Sequence, residues 1–506
     1  MRSHNCIDHF VKAAEQYPDA IAIIHHGQHI TYRDLHTDVK KAARYLSEQG
    51  VTQGSRILIL LPMSIDLYRS VLALYYLGAT VVIPDAWATR QQLSQYCDQI
   101  ACDGYLGGTK MHIFALFIKA LRGLDLHLRP SISKGEISTP AVSLSAETTA
   151  LITFTTGSTG IPKAANRTHG LLNAQLTALQ EKINPHVGEI DLCTLPIVLL
   201  INLAAGVTSV IPNQSLKRLS DLNIDSLYQV IKSTKVTRIT TSPYVATQLA
   251  KHVTQHHHPD SQVRRIFTGG GAVFPHDASL ITSAFAQADV TIVYGSTEAE
   301  PISSISATAL INQASQLTHG LPVGKCSPYA TVKILKLGID SSDLSQCNAL
   351  HPYLADDHEV GEIIVSGPHV LAEYLNDPIA QQTNKFKIQQ TLWHRTGDSG
   401  YLHNGRLYLT GRIGQILKVN GETTYPFLIE YHLSQCPGIT CGTLILVSDQ
   451  LCLVVESALS HSEVNARLTH IRHDRLVILD RIPKDPRHHT KIDYSKVREM
   501  CGDSGS

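Results

Sequence analysis

The sequence lacks an excess of either charge: 43 Lys and Arg stand against 43 Asp and Glu in 506 residues. A protein whose main partner is nucleic acid needs surplus cations to neutralise phosphates, so nucleic acid is not an expected partner. The ten cysteines form no CxxC pair and no grouping with His at metal-ligand spacing. Reduced structural thiols in a reducing compartment are the reading that follows. The opening stretch, MRSHNCIDHFVKAAEQYPDA, holds no apolar core of signal-peptide length and carries acids where a transit peptide avoids them, so a cytoplasmic protein is expected. Long apolar runs are also missing. The longest, Leu195 to Pro212 (LPIVLLINLAAGVTSVIP), is interrupted by Asn202, Thr208 and Ser209, which makes it buried pieces of a large core rather than a membrane span. His256, His257 and His258 form a run, but Gln255, Pro259 and Asp260 around it suit a solvated loop better than a metal site. No internal repeat is visible.

What is present is a 43% hydrophobic content that excludes general disorder, and a length that suits about three structural units or two unequal ones. Asp34 to Gln49 places Leu35, Val39, Ala42, Ala43 and Leu46 at helical spacing and stops at Gly50. A strand is expected from Arg56 to Leu61, a helix from Ser64 to Leu77, and a strand from Thr80 to Ile83. The alternation returns between Ile224 and Tyr294. Strands alternating with helices predict a largely parallel α/β sheet. Residues 361 to 410 change to short strands with turns (GEIIVSG, SGYLHNG, GRLYLTG), expected to be a small antiparallel subdomain that completes the large domain. About ninety residues after Gly414 have a small α/β pattern of their own, enough for a compact lid.

The most informative segment is TTGSTGIPK, Thr155 to Lys163, after the predicted strand Ala150 to Phe154. Alternating glycines and hydroxyls let backbone N–H groups fold around phosphate oxygens, and Lys163 adds positive charge. It is not a Walker A loop, because that spacing needs Gly where the chain has Pro162.

On these residues the sequence resembles the adenylate-forming superfamily: acyl-CoA synthetases, firefly-type luciferases and peptide-synthetase adenylation domains. The pattern [ST][ST]G[ST]TGxPK is matched by Thr155, Thr156, Gly157, Ser158, Thr159, Gly160 and the residues through Lys163, with Ala164 where Gly usually follows. Gly269, Gly270, Gly271 and Ala272 resemble the loop lining the acyl and adenine pocket, and Tyr294, Gly295, Ser296, Thr297 and Glu298 match YGxTE. Then come Gly361-Glu362, Thr396-Gly397-Asp398, Gly411-Arg412, a KxxGExxxP-like run from Lys418 to Pro426, and Lys491 in IPKDPRHHTKID. Their order across nearly the whole chain makes the resemblance specific.

The resemblance implies ATP and Mg²⁺ as cofactors, with Glu298 as metal ligand and Thr297 donating its hydroxyl to the α-phosphate. It also implies that Asp398 accepts from the ribose hydroxyls, that Arg412 contacts the ribose, and that Tyr294 offers its ring to adenine. Lys491 is the implied catalytic lysine, bridging carboxylate and α-phosphate oxygens when the small domain swings in. The implied architecture is an AMP-binding domain (1–411), a hinge (412–414) and a mobile lid (415–506). Gly414 departs from the family's usual Asp or Lys at that hinge position, which permits rotation but supplies no side-chain latch.

The expected function is activation of a hydrophobic, fatty or β-hydroxy fatty carboxylic acid as its acyl-adenylate with pyrophosphate release. Transfer to CoA or to the pantetheine of an acyl carrier protein would follow. The Leu195–Pro212 stretch, GSTEAEP and the C-terminal DPRHHTKI look similar to olefin β-lactone synthetases, so lactone closure by the substrate's own hydroxyl is the rival. A pseudoenzyme that only binds nucleotide or acyl ligand is the rival of another class, and Thr297, Glu298, Asp398 and Lys491 together count against it. Leu199, Leu200 and Leu203 are expected to give the acyl site an apolar lining. Chain length, acceptor and oligomeric state are not legible.

Overall fold

The hydroxyl of Thr31 accepts from the Asp34 amide and starts the helix Tyr32–Glu48, whose buried stripe is Tyr32, Leu35, Val39, Ala42, Ala43 and Leu46. Ser64 caps Ile65–Tyr76 in the same way, and Gly78, at φ +71°, turns the chain into the strand Thr80–Ile83, apolar after its first residue. Caps and glycines thus set the boundaries, and the apolar periods set the buried faces. This computed structural model describes residues 3–85, 87–156, 162–215, 219–256, 262–314, 317, 319–345, 349–485 and 491–502.

These elements build two large sheets. In the seven-stranded sheet, Thr149–Thr156 lies between Thr80–Ile83, to which it is parallel, and Pro162–Thr168, to which it is antiparallel. The larger, 14-stranded sheet contains a parallel run through Ile190–Cys193, Arg238–Thr241, Arg265–Gly269 and Asp289–Ser296. The short antiparallel strands expected between 361 and 410 are present, and they continue this same ladder. Ala299–Ser306 folds back on Asp289–Ser296, and Leu321–Cys326 joins it to Arg406–Arg412, so the sheet is not interrupted. Residues from Leu417 onward form a separate two-stranded and a separate three-stranded sheet, the latter built from Ile439–Val447, Gln450–Ser457 and Arg475–Leu479. This smaller unit has its own core around Leu433, Leu453, Val455 and Val464.

The apolar run from Leu195 to Pro212 becomes the helix Pro196–Ala205 and the strand Thr208–Val210. Gly206 ends the helix at φ +73°, and a Cβ there would lie 2.5 Å from the Tyr17 ring, so both conformation and space require glycine. Asn202, which interrupts the run, is fully buried and donates to Asp191 (2.8 Å) and Ser209 (3.0 Å). Asp191 also pairs with the buried Arg238 (3.2 Å), which reaches Glu189 at 2.7 Å. Buried charge of this kind persists only when paired and hydrogen-bonded. Among the described residues, no helix is long and apolar enough to cross a membrane.

Candidate active site

A cleft of about 2780 Å³ runs between the sheets and the smaller unit. It is lined by Thr155, Lys163, Gly269 to Ala272, Tyr294 to Glu298, Thr396 to Asp398, Arg412 and Lys491, gathering motifs that are hundreds of residues apart. Gly157, Ser158, Thr159 and Gly160 lie outside the described residues. The strands on either side of them are paired, with Thr155 opposite Lys163 and Thr156 opposite Pro162.

One cluster is assembled by strand register. Asp398 and Arg412 face each other on the hairpin Thr391–His403 and Arg406–Arg412. Asp398 Oδ1 pairs with Arg412 Nε at 3.0 Å, and Oδ2 accepts from the Tyr294 hydroxyl at 2.7 Å. Burial, and then the charge of Asp398, push the Tyr294 phenol well above its ordinary range, so it remains a donor. Gly397, at φ +70° within the strand Thr391–His403, precedes Asp398, and its amide donates to Glu362 at 3.3 Å. Glu362 is held in turn by Arg395, whose Nε lies 2.8 Å away. Each carboxylate oxygen has two acceptor sites, so Asp398 keeps capacity for vicinal hydroxyls beside its present partners.

The second cluster surrounds Glu298. Its Oε1 accepts from Tyr374 Oη at 2.9 Å and from Thr155 Oγ1 at 3.5 Å, while its amide donates to Ser296 Oγ at 3.2 Å. Tyr374 also presents its ring to two ammonium groups, Lys163 Nζ at 5.6 Å and Lys385 Nζ at 5.5 Å from the centroid. Burial alone would raise the Glu298 carboxyl, but the fields of His394 and Lys385 and the Tyr374 bond outweigh it and hold the acid down to about 2. Burial, and then the charge of Lys385, push His394 down to about 3. Burial lowers Lys385 itself to about 7, opposed by Glu298 and assisted by Lys163. A carboxylate kept ionised at the edge of a polar cleft suits a hard divalent cation.

Sequence reading missed Tyr374, Lys385 and His394. Lys385 and His394 meet only because the strand Lys385–Ile388 folds back on Thr391–His403, where they are register partners. In the glycine-rich loop, Gly270 adopts φ +86°, and a Cβ on Gly269 would lie 2.5 Å from the Val293 carbonyl. Gly295 is similarly close to the backbone, with a Cβ 2.9 Å from the Ala299 carbonyl. The Thr297 carbonyl accepts from Arg167 at 3.2 Å.

The expected leucine lining is corrected in part. Leu200 faces the cleft, whereas Leu199 and Leu203, four apart on one helical face, are fully buried in the core. Leu195, Pro196 and Ile197 line the cleft in their place, with Tyr244 and Phe267. Lys491 is exposed and belongs to the smaller unit. Its amide donates to Asp485 Oδ1 at 2.9 Å, and its carbonyl accepts from the Asp485 amide at 2.8 Å.

Relatives share this organisation. An olefin β-lactone synthetase of Stenotrophomonas maltophilia is 27% identical, covering 96% of this chain and 95% of that protein. A 2-succinylbenzoate–CoA ligase of Oceanobacillus iheyensis is 28% identical, covering 85% and 83%. Among solved structures, the o-succinylbenzoate coenzyme A synthetase of Bacillus subtilis bound to ATP and magnesium superposes with a TM-score of 0.79 at 20% identity, covering 97% of this chain and 98% of that one. The last of these speaks for the fold alone. The sequence profile described as AMP-binding enzyme matches residues 10–375, most of the length over which the motifs were found. With the motif order, the two-sheet body and the separate C-terminal unit agreeing, the chain belongs to the AMP-binding enzyme family of the adenylate-forming superfamily.

Proposed function

We propose that the chain joins a hydrophobic carboxylic acid to ATP as an acyl-adenylate, releasing pyrophosphate, and then passes the acyl group to a thiol of CoA or a carrier-protein pantetheine. The observation that carries this reading is the convergence of Asp398, Arg412, Tyr294, Glu298 and Lys491 on one cleft whose remaining wall includes Leu195, Ile197, Leu200 and Phe267. Two anions must meet in this reaction, so the site has to supply positive charge where the α-phosphorus becomes pentavalent. Asp398 would accept the ribose hydroxyls, Arg412 would hold the Asp398 carboxylate and contact the ribose, and the Tyr294 ring would pack on adenine. Thr155, Thr156, Gly157, Ser158, Thr159, Gly160 and Lys163 would cradle the phosphates, with Gly270, Gly271, Gly295 and Ser296 shaping the wall beside the nucleotide. Glu298, ionised and on the cleft, fits a Mg²⁺ ion, which when bound supplies charge neutralisation on the phosphates. Thr297 would donate its hydroxyl to the α-phosphate.

In the first step a carboxylate oxygen attacks the α-phosphorus and the bond to pyrophosphate breaks. Lys491 would bridge the attacking and α-phosphate oxygens, so its ammonium acts where negative charge accumulates. In the second step the thiol sulfur attacks the acyl carbon, its proton is lost, and AMP leaves. We assign the body to 1–411, the hinge to 412–414 and the lid to 415–506, since the exposed segment with Lys491 sits on the smaller unit and the thiol needs access after pyrophosphate has gone.

A second reading has its own support. The olefin β-lactone synthetase relative aligns over nearly its whole length, and the apolar wall suits a long β-hydroxy acid equally well. There the substrate's own β-hydroxyl would lose its proton and attack the acyl carbon, breaking the bond to AMP, which leaves as the β-lactone closes. The test is pyrophosphate release across a panel of acids, with and without CoA, followed by mass spectrometry. An acyl-CoA product supports the first reading, a lactone formed without CoA supports the second, and no acid-dependent pyrophosphate would sink both.

A further inference from the structure

Seven large apolar side chains are exposed among the described residues, and three of them, Ile113 (57%), Leu116 (59%) and Phe117 (69%), fall within five consecutive positions. Isolated exposed apolar residues are ordinary, but a cluster on one turn marks an interaction surface. The helix Thr109–Ala115 continues through turn hydrogen bonds from the Leu116 amide to the Ile113 carbonyl (3.3 Å) and from the Phe117 amide to Phe114 (3.1 Å). Ile113, Leu116 and Phe117 therefore occupy one face at helical spacing. The other face is anchored: Ala115, Ile118 and Leu121 are buried in the core that contains Tyr96, Tyr105 and Phe154. The exposed side chains are thus held outward by a packed support.

The charge within this segment, between Asp103 and Asp125, has one sign. From Gly104 to Leu124 there is no Asp or Glu, while Lys110, Lys119 and Arg122 are all exposed. Arg90 adds a further cation over the Phe114 ring at 5.1 Å. Apolar side chains ringed by cations match the interfacial zone of an anionic bilayer, where acyl chains take the apolar side chains and headgroups take the charges. Lys110, Met111 and Phe114 also line the cleft, so the patch adjoins the site itself.

We propose that Ile113, Leu116 and Phe117, with Lys110, Lys119 and Arg122, form a docking surface for an anionic lipid bilayer, which sets the cleft next to a membrane reservoir of its apolar acid. The supply of substrate rests on the reading given under the proposed function; the docking does not. The surface lies on the bilayer and does not span it.

The experiment is co-sedimentation of the full chain with phosphatidylcholine vesicles, with and without phosphatidylglycerol, at low and high salt. Wild type is expected to bind the phosphatidylglycerol vesicles at least about tenfold more tightly than phosphatidylcholine alone, and to be released by salt. Combined Ile113→Ser, Leu116→Ser and Phe117→Ser should reduce binding about tenfold or more, and so should combined Lys119→Glu and Arg122→Glu. Phe117→Trp keeps the aromatic volume, and its emission should shift to the blue on phosphatidylglycerol vesicles relative to wild type, which reads the contact even where the triple variant does not fold. Absence of binding by wild type, undiminished binding by a folded triple variant, or an unshifted Phe117→Trp emission would each overturn the docking. So would a lipid-free dimer abolished by the serine substitutions, since the patch would then belong to a second copy of the chain. Pyrophosphate release without vesicles is measured in parallel. If no acid elicits it while vesicle binding persists, the functional reading fails and the docking stands.

Discussion

Two parts of the cleft are built differently. The Asp398 side is finished in advance: a strand register sets Asp398 opposite Arg412, Tyr294 donates to it, and Glu362 with Arg395 fixes the strand segment that carries it. The Lys491 side is an exposed residue on the smaller unit, tied locally by its amide to the Asp485 carboxylate and by its carbonyl to the Asp485 amide. Near it the Thr443 hydroxyl donates to Glu430 at 3.0 Å, and the Tyr494 hydroxyl donates to the same carboxyl. Preorganised groups bind without reorganising, whereas a group carried on a separate unit can be supplied for one step and withdrawn for the next. On the proposed reading, this difference would give nucleotide recognition to the body and timing to the lid.

The largest expected effect breaks the lid side alone. Lys491→Ala should slow acid-dependent pyrophosphate release by about a thousandfold while leaving ATP affinity nearly unchanged, because its charge acts mainly in the transition state. Titration calorimetry with ATP and a pyrophosphate assay on the same preparation separate the two. Loss of ATP binding, or release at more than about a tenth of wild type, would remove Lys491 from the chemistry.

Next is the metal position on the body. Glu298→Gln keeps the shape and removes the charge, so the Mg²⁺ concentration for half-maximal activity should rise and turnover should fall by about a hundredfold. A magnesium titration that superposes on wild type would contradict the assignment.

The join between the two parts gives a smaller, divided effect. Gly414 lies in the turn Ile413–Gln415, its φ is not positive, and a Cβ there meets nothing within 4 Å. Gly414→Ala should therefore be tolerated in this arrangement, changing stability by less than about 0.5 kcal/mol. Gly414→Pro should restrict rotation, keeping a first-turnover pyrophosphate burst but slowing thioester formation by about tenfold or more. Equal rates for both steps in all three proteins would place the swing elsewhere.

The smallest effect concerns lid stability. Burial raises the Glu430 carboxyl to about 7, against the hydrogen bonds from Tyr494 and Thr443 and the charge of Lys484, which lower it. A folded-state pKa above the unfolded one means that the folded protein binds more protons between about 4.5 and 7. The contribution is fully present below about pH 4.5 and is lost as pH rises through about 7, amounting to on the order of 3 kcal/mol. Glu430→Gln should flatten this part of the stability profile, as read by denaturant titration at several pH values, and an unchanged slope would exclude Glu430 as its source.

The parts of the site legible in the sequence are those whose chemistry is local. Thr396-Gly397-Asp398 and Tyr294 to Glu298 are short runs in which the backbone around a glycine carries the functional side chain, so reading the run locates the residue. The strand Thr80–Ile83 has the expected bounds because the glycine before it and its apolar run are local as well. Lys385 and His394 are nine positions apart but meet through a hairpin register, and Tyr374 reaches Glu298 from another sheet, so nothing in their spacing announces the cluster. The leucine lining failed in part for a related reason. Leu199, Leu200 and Leu203 are equally apolar as letters, and only the rotation of Pro196–Ala205 against its neighbours decides that Leu200 alone of the three faces the cleft.

The most direct test of the central claim follows the oxygen atoms. An acid found to be a substrate is labelled with heavy oxygen in both carboxylate positions, turned over with ATP and acceptor, and the AMP is analysed by mass spectrometry. Attack of the carboxylate on the α-phosphorus leaves one substrate oxygen on phosphorus when the acyl group departs, so the account predicts AMP carrying one heavy oxygen for every acyl group transferred. Unlabelled AMP, or label recovered in pyrophosphate or phosphate, would contradict it.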